Sequence, residues 1–376
     1  MLIGVPAEIK THEYRVGLTP GSVREYVLQG HQVLIQSGAG DGIGAGDDAY
    51  RAAGAEIVAD AAEIFARAEM VVKVKEPQPV EWRQLREGQI LFTYLHLAPD
   101  PDQTRGLLES GVTAVAYETV VDERGGLPLL APMSEVAGRL SIEAAGAALR
   151  RFAGGPGLLL GGVPGVQPAR VVVLGGGVVG THAARMAVGL GAEVTIIDRS
   201  IPRLRQLDEL FAGRVRTAVS TTAAVEREIS GADAVIGAVL VPGASAPRLI
   251  SKQMLGQMKP RSVLVDVAID QGGCFETSRP TTHDNPTYEV DGIIHYCVAN
   301  MPGAVPLTSS QALNNATLPY GLALAAHGLA AFAADKGPIA EGLMAGLNVH
   351  RGLVTNQAVG QSLGSAWVPG TQALAA

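Results

Sequence analysis

The chain has 376 residues, with 29 Lys or Arg against 36 Asp or Glu, so that its formal net charge is −7. This length predicts two domains, and a composition of 47% hydrophobic but only 17% charged residues argues against intrinsic disorder. The acidic balance gives no reason to expect nucleic acid or an anionic membrane as a partner, because such interfaces need clustered positive charge.

The first part of the chain, residues 1–130, alternates between β-branched runs and helical segments. This alternation is typical of βαβ units around a parallel sheet. The predicted strands cover residues 2–8, 31–38, 70–76, 88–96 and 113–120, and the predicted helices cover residues 20–30, 47–54, 61–68 and 102–111.

A long amphipathic helix is predicted to begin near Ser134, a residue type that suits an N-cap. The Gly/Pro-rich residues 154–169 that follow are too apolar for a flexible linker and indicate a structured connection.

The strand–helix pattern restarts at Val171 and is typical of a doubly wound nucleotide domain. Its predicted strands cover residues 171–174, 193–198, 214–219, 233–239 and 262–268.

No Asp, Glu, Lys or Arg occurs in residues 304–334, and the apolar part of this stretch begins at Pro319. We interpret it as an Ala-rich interior helix rather than a membrane span, and expect the helical C-terminal stretch to pack on the first domain. The sequence thus predicts a discontinuous first domain, residues 1–130 and 308–376, and a doubly wound nucleotide-binding domain, residues 131–307.

A glycine motif follows the strand that starts at Val171. Gly175, Gly177 and Gly180 form G-x-G-x-x-G, and Asp198 ends the next predicted strand, where an acid accepts hydrogen bonds from a ribose. This arrangement predicts NAD, because a carboxylate at Asp198 repels the 2′-phosphate of NADP. The neighbouring Arg199 and Arg203 keep NADP open, and an ordinary glycine turn is the alternative to any nucleotide site.

Four charged or titratable residues lie at the ends of predicted strands or in the loops that follow them, where sites on parallel sheets form. Arg15 and Lys75 could bind a carboxylate, and His96 and Asp270 could transfer protons. Each has an ordinary alternative: a solvated arginine, a surface ion pair of Lys75 with Glu76, a core histidine, and a turn-forming aspartate.

Seven segments of the chain together resemble bacterial alanine dehydrogenase. They are MLIGVPAEIKTHEYRVGLTP, MVVKVKEP, LFTYLHLA, APMSEVAGRLS, VVVLGGGVVG, DVAIDQGGCFETSRPTTHDNPTY and VANMPGAVP. The resemblance implies an α/β fold of two Rossmann-like, doubly wound parallel-sheet domains with the active site in the cleft between them, and a homohexamer. The NAD-binding part of a proton-translocating transhydrogenase resembles the same family.

The resemblance also implies roles for individual residues. His96 and Asp270 match the family's catalytic pair, Arg15 and Lys75 match its carboxylate-binding pair, and Met133 and Asn300 border the substrate. The implied cofactor contacts are Ser134, Gly175, Gly177, Val178, Val179, Gly180, Asp198, Arg203, Ser220, Val239, Leu240, Val267, Ala268, Ile269, Asp270, Arg279, Val298, Asn300 and Met301.

One position departs from the family pattern. Some members bind a divalent ion through an acid and a histidine four residues apart, whereas this chain has Ala323 before His327. We therefore predict no metal.

The resulting hypothesis is an NAD-dependent L-alanine dehydrogenase, with L-alanine, pyruvate and ammonium as its small-molecule partners. The soluble NAD-binding subunit of a transhydrogenase and a non-catalytic dinucleotide-binding regulator remain as alternatives. Serine, glycine and glyoxylate stay open as further substrates. Cys274 and Cys297 have neither disulfide nor zinc-site spacing, and the N-terminus has no apolar signal core. We therefore expect a cytoplasmic protein.

Overall fold

The computed structural model describes residues 1–239, 246–333 and 337–375. They form two compact units, the first made of Met1–Met133 with Val305–Ala376 and the second of Ser134–Ala304. The predicted boundaries after residues 130 and 307 each lie three residues from this division.

Fifteen strands lie in the described residues. In chain order they are β1 (Leu2–Val5), β2 (Gln32–Gln36), β3 (Glu56–Val58), β4 (Met70–Val72), β5 (Ile90–Thr93), β6 (Thr113–Ala116), β7 (Arg170–Leu174), β8 (Glu193–Asp198), β9 (Val215–Val219), β10 (Ala234–Gly237), β11 (Val263–Asp266), β12 (Thr287–Val290), β13 (Ile293–Tyr296), β14 (Leu347–His350) and β15 (Leu353–Val354).

The same residues contain fourteen α-helices, besides several short 3-10 helices. They are α1 (Pro20–Leu28), α2 (Asp47–Ala52), α3 (Ala61–Arg67), α4 (Pro79–Trp82), α5 (Pro101–Ser110), α6 (Ala131–Ala148), α7 (Val178–Gly189), α8 (Ile201–Phe211), α9 (Thr222–Ser230), α10 (Lys252–Leu255), α11 (Pro306–His327), α12 (Pro338–Gly346), α13 (Gln357–Leu363) and α14 (Gly370–Ala375).

Each unit is built on one sheet. Over the described residues, the strand order is β15-β14-β6-β5-β4-β1-β2-β3 in the first unit and β12-β13-β11-β10-β7-β8-β9 in the second. Both sheets contain six parallel strands in the Rossmann order 3-2-1-4-5-6, which confirms the predicted fold class. The strand order reverses between β1 and β4 in the first unit and between β7 and β10 in the second, and ligands bind beyond the carboxyl ends of strands at such points.

Burial on both faces of the sheet explains the continuous apolar run in β7. Val171 and Val173 pack in one buried cluster, whereas Val172 and Leu174 pack in another. Alternate residues of a strand point to opposite faces, so a strand covered on both sides has no polar face. This burial agrees with the low share of charged residues in the chain.

Three predictions about strands in the first unit are wrong in detail. The strand predicted for residues 70–76 ends at Val72, and β3 was not predicted at all. The C-terminal stretch was expected to be helical, yet β14 pairs with β6 and then with β15, antiparallel in both cases. These strands are only two to four residues long, so they give little periodic signal, and pairing with other strands of the sheet stabilises them.

Two helix starts also differ from prediction. Helix α6 begins at Ala131, so Ser134 lies inside its first turn rather than at its N-cap; Pro132, with its fixed φ, suits that turn. Helix α11 begins at Pro306 and continues through Pro319.

Helix α11 packs through one face, as its small residues suggest. A Cβ atom at Gly321 would overlap the Tyr26 hydroxyl of α1, so only glycine permits this approach. Among the described residues, no helix is long and apolar enough to cross a membrane.

Candidate active site

Three of the predicted site residues lie at the carboxyl edge of the first sheet. Arg15 lies in the loop after β1, Lys75 follows β4, and His96 follows β5. Strands β1, β4 and β5 are parallel neighbours, so their carboxyl ends meet at the point where the strand order reverses. This topology makes the edge a candidate substrate site.

Arg15 is a buried cation. Its side chain is 2% exposed, and its Nε and Nη2 donate to the two carboxylate oxygens of Glu13 at 2.6 Å and 2.5 Å. Its Nη1 donates to Met133 Sδ at 3.1 Å. Burial lowers the pKa of Arg15, but the hydrogen bonds and charge of Glu13 outweigh it and leave the pKa raised. Arg15 is therefore no solvated surface charge, and Met133 lies next to it.

Lys75 lies beside a fully buried cluster of charges. Lys73 is 0% exposed, and its Nζ lies 3.0 Å from Glu8 Oε2 and 2.8 Å from Glu81 Oε1. Glu8 Oε1 also accepts from the backbone N–H of Val74 at 2.7 Å and of Lys75 at 3.3 Å. These two carboxylates balance the buried charge of Lys73, which would be costly if left unpaired.

The Lys75 side chain makes the ion pair that the sequence left open. Its Nζ lies 4.0 Å from Glu76 Oε2, yet the side chain is only 13% exposed, so the pair is largely buried. Glu76 also pairs with Lys10. Lys75, Glu76 and Lys10 therefore form a polar cluster at the edge that holds Arg15.

His96 is not a core histidine. Its side chain is 45% exposed, and its backbone adopts φ +49°, which is uncommon outside glycine. The imidazole stacks on the ring of Tyr94 with a centroid distance of 5.8 Å and an interplanar angle of 5°. Its position suits a group that exchanges protons with a bound molecule.

The glycine loop of the second unit lies between β7 and α7. Gly175 has φ +99°, and a Cβ at Gly180 would collide with the Gly175 carbonyl oxygen, so both positions require glycine for the loop itself. Gly177 is the N-cap of α7, and a Cβ there would meet no atom within 4 Å. Gly177 therefore borders open space at a helix N-terminus, as a pyrophosphate site requires.

Asp198 ends β8 beside this loop. Its Oδ2 accepts from Gly176 N at 2.7 Å, and its Oδ1 accepts from Ser200 N at 2.8 Å. Arg203 donates from Nε to Gly176 O at 2.7 Å and from Nη2 to Thr181 Oγ1 at 2.8 Å. The predicted ribose acid and its nearby arginine therefore both contact the glycine loop.

Other predicted cofactor contacts follow the carboxyl ends of neighbouring strands. Ser220 follows β9 and donates its N–H to Asp198 O at 2.9 Å. Val239 follows β10, whereas Leu240 lies outside the described residues.

The segment after β11 carries the second predicted catalytic residue. Val267 and Ala268 follow the strand, and Asp270 is exposed in the 3-10 helix Ile269–Gln271. Asp270 is thus neither buried nor part of a strand.

The remaining predicted contacts differ in exposure. Val298 and Met301 are 1% and 3% exposed and belong to the core of the second unit. Arg279 is exposed and lies over the ring of Tyr288 at 4.0 Å, and Asn300 adopts φ +60°. Val179 is buried, whereas Val178 is exposed and Ser134 half-buried.

His327 ends α11 and packs edge-on against Phe332 at 6.0 Å. Among the described residues, no group of three or more His, Cys, Asp or Glu could hold a metal ion.

Sequence reasoning missed the carboxylates that hold these residues. Glu13 lies two positions before Arg15, Glu8 contacts Lys73, and Glu118 contacts the backbone of His96. Asp266 was also missed; it is buried and accepts from Cys274 N at 2.8 Å and Ser278 Oγ at 2.5 Å. The only signal in the sequence is that each acid lies within or just after a predicted strand end.

Comparison with known proteins agrees with this architecture. Residues 4–137 match the alanine dehydrogenase/PNT N-terminal domain and residues 141–357 match the C-terminal domain. An alanine dehydrogenase from Halomonas elongata is 58% identical over 98% of both chains. A solved L-alanine dehydrogenase superposes with a TM-score of 0.92 at 53% identity, covering 97% of this chain and 99% of that one.

A more distant solved structure is a transhydrogenase from Sinorhizobium meliloti. It superposes with a TM-score of 0.79 at 25% identity and covers 95% of this chain and all of that one. The chain matches both domains of the family, and a relative at 58% identity matches it over 98% of its length. The chain therefore belongs to the alanine dehydrogenase/PNT family.

Proposed function

We propose that the chain is an NAD-dependent L-alanine dehydrogenase, which interconverts L-alanine with pyruvate and ammonium. The observation that carries the proposal is the edge of the first sheet, where a buried arginine, a largely buried lysine and an exposed histidine follow three neighbouring strands. The names of the relatives at 52–58% identity support the same activity.

The buried arginine supplies the grip on the substrate. Arg15 is held by Glu13 and so keeps its position while it donates charge-assisted hydrogen bonds to a carboxylate. Lys75 adds a second positive charge near this position. In the proposed reaction these two side chains hold the substrate carboxylate, and this fixes the orientation of the α-carbon that reacts.

Two residues supply proton transfer. His96 accepts and returns protons as water adds to the iminopyruvate and the carbinolamine collapses. Asp270 stabilises the cationic amine or imine and orients the attacking water.

The second unit fits a dinucleotide. The open side of Gly177 accepts a pyrophosphate at the N-terminus of α7, and Asp198 accepts hydrogen bonds from ribose hydroxyls. When bound, NAD supplies the hydride acceptor for the substrate α-carbon. We propose the other predicted cofactor contacts as the rest of this surface, with Arg279, Asn300 and Met301 towards the nicotinamide.

The carboxylate at the end of β8 favours NAD over NADP. A 2′-phosphate would approach Asp198, and its negative charge would be repelled. Arg203 does not offset this repulsion freely, because it already donates to Gly176 and Thr181.

The experiment that tests the function follows absorbance at the NADH wavelength. Purified protein with L-alanine and NAD should form NADH, and His96→Ala and Asp270→Asn should each lose at least about a hundredfold in turnover while NAD still binds. Glycine, L-serine and NADP in place of alanine and NAD then measure the substrate breadth.

The same assay separates the two alternatives. A transhydrogenase subunit or a non-catalytic regulator would bind NAD but form no NADH with any amino acid. The identity of 25% to the transhydrogenase, against 58% to an alanine dehydrogenase, favours the dehydrogenase.

We further propose a cytoplasmic homohexamer. Residues 151–169 include four apolar residues that are 54–86% exposed, namely Phe152, Leu159, Val163 and Val166. Exposed apolar surface of this kind is typically covered by a neighbouring subunit in assemblies. The two buried cysteines are free thiols, as a reducing compartment allows. Sedimentation of the purified protein measures the number of copies.

A further inference from the structure

The turn that carries His96 is held from two sides by buried side chains. Gln103, which is fully buried in α5, donates from Nε2 to Leu95 O at 2.6 Å. Thr104, also in α5, donates to Leu97 O at 3.3 Å. Leu97 O also accepts from the backbone N–H of Asp100 at 3.1 Å, so the carbonyl groups before and after His96 both have partners at the start of α5.

The amide groups of the same turn meet a single carboxylate. Glu118 lies in the 3-10 helix Tyr117–Thr119, just after β6, and β6 is the parallel neighbour of β5. Its Oε1 accepts from His96 N at 2.6 Å, and both its oxygens lie 3.2 Å from Leu95 N. This carboxylate stabilises the left-handed backbone of His96 at φ +49°.

The same carboxylate also lies close to the imidazole. Glu118 Oε1 is 3.9 Å from His96 Nδ1, and the Glu118 side chain is only 14% exposed. The stacked Tyr94 ring limits how the imidazole can turn, because the two rings are almost parallel. A shift of about 1 Å would bring Nδ1 within hydrogen-bond distance of the carboxylate.

We propose that Glu118 is a positioning residue for His96: it directs Nδ1 towards its own carboxylate, leaves Nε2 for the substrate, and stabilises the imidazolium that forms during turnover. The inference rests on the proposed function. The charge of Glu118 adds to its hydrogen bonds, since a carboxylate beside the imidazolium lowers the energy of the charged form.

The proton balance of this role is closed. When water adds to the iminopyruvate, one proton of the water moves to His96 Nε2 as the oxygen bonds to carbon. Nδ1–H then donates to Glu118, which stays ionised. Nε2 then returns this proton to the carbinolamine nitrogen, and ammonia leaves as the C–N bond breaks and the carbonyl forms. The hydroxyl proton passes to Nε2 and from there to the departing ammonia, which leaves as ammonium, so the residue pair has no net gain or loss.

The substitution Glu118→Gln separates the charge from the backbone contacts. The amide oxygen of Gln still accepts from His96 N and Leu95 N, so the turn is kept while the negative charge is lost. We expect kcat to fall at least about tenfold, with KM for L-alanine and the Kd for NAD changed by less than about twofold. The matched control is Glu109→Gln, which removes an exposed carboxylate of α5 and should leave kcat unchanged.

A double-mutant cycle shows whether the effect passes through the histidine. In a His96→Ala background, Glu118→Gln should cause no further loss, because the group it acts on is absent. Glu118→Asp, which keeps the charge on a shorter side chain, should recover part of the kcat.

Two results would overturn the inference. One is a kcat of Glu118→Gln equal to that of Glu109→Gln. The other is a fall in kcat on Glu118→Gln that is equally large in the unaltered protein and in the His96→Ala background. If the unaltered protein forms no NADH from alanine, it is instead the proposed function that fails, so the two failures are distinct.

Discussion

Arg15 and Glu13 form an ion pair in which two guanidinium nitrogens meet two carboxylate oxygens, at 2.6 Å and 2.5 Å, although both side chains are almost fully buried. The residues are only two positions apart, and Glu13 also accepts from Arg15 N at 3.1 Å. A substrate carboxylate therefore meets an arginine whose orientation is already set before binding, which reduces the entropy lost on binding.

Replacing Glu13 by Gln should weaken substrate binding more than it slows the reaction. The amide nitrogen cannot accept from Nη2, so Arg15 loses one of its two anchors and its charge is left unbalanced. We expect KM for pyruvate to rise at least about tenfold, and stability to fall by about 3–5 kcal/mol, as when one partner of a buried pair is removed.

Initial rates against pyruvate concentration and thermal unfolding measure these effects. Glu25→Gln, an exposed substitution in α1, is the control. An unchanged KM in folded Glu13→Gln protein would contradict the role of this pair.

Two glycines of the same loop should respond differently to alanine. Gly177→Ala adds a methyl group that meets no protein atom within 4 Å, so the protein should fold normally but bind NAD at least about tenfold more weakly. Gly180→Ala adds a methyl group in conflict with the Gly175 carbonyl, so the fold itself should be destabilised.

Thermal unfolding followed by circular dichroism and fluorescence titration with NADH separate the two effects. Equal loss of thermal stability in both variants would show that Gly177 serves the fold and not the ligand.

The close approach of α1 and α11 predicts a compensating pair of substitutions. Gly321→Ala should lower stability, because its methyl group would overlap the hydroxyl oxygen of buried Tyr26. Tyr26→Phe removes that oxygen and leaves the ring carbon 3.3 Å from the new Cβ. The double variant should therefore be more stable than Gly321→Ala alone.

Thermal unfolding of the two single variants and the double variant gives the coupling energy, for which neighbouring residues typically show about 0.5–3 kcal/mol. Strictly additive effects would mean that the helices move apart to admit the methyl group.

Acid should destabilise the second unit through His295. This ring is fully buried, with Nε2 2.7 Å from Thr277 Oγ1 and Nδ1 3.0 Å from Ile293 O. Burial lowers the pKa of His295 below its ordinary 6.5, the Ile293 hydrogen bond opposes this shift, and the charge of Arg279 adds to it.

Because the folded pKa is the lower one, the unfolded chain binds more protons below pH 6.5. The stability contributed by neutral His295 is thus fully present above that pH and is lost as the pH falls.

Thermal unfolding from pH 7.5 to 5 should show a falling Tm, with a shallower fall in His295→Leu. The exposed substitution His327→Gln should leave the slope unchanged, and a His295→Leu slope equal to that of the unaltered protein would refute the assignment. Burial also lowers the pKa of His182 and His350, so part of the slope should remain.

Long-range pairing explains where sequence reasoning fell short. The β14–β15 hairpin has no local pattern that distinguishes it from the helices around it, and it becomes a strand pair because β14 joins the edge of β6 more than 200 residues earlier. Helix α6 begins before Ser134 because Pro132 suits a first turn, although the serine alone predicts a cap.

The two α/β units and the glycine loop with its acid could be predicted from the sequence, because hydrophobic periodicity and glycine spacing are local features. Contacts between the site's carboxylates and the side chains or amides of other strand ends could not be predicted in this way, because they form only in the folded sheet. The contacts of Glu8 with Lys73 and of Glu118 with the His96 turn depend on parallel strands that bring their carboxyl ends to one edge. At this buried edge an unpaired charge is costly, so the fold pairs the charged side chains with one another.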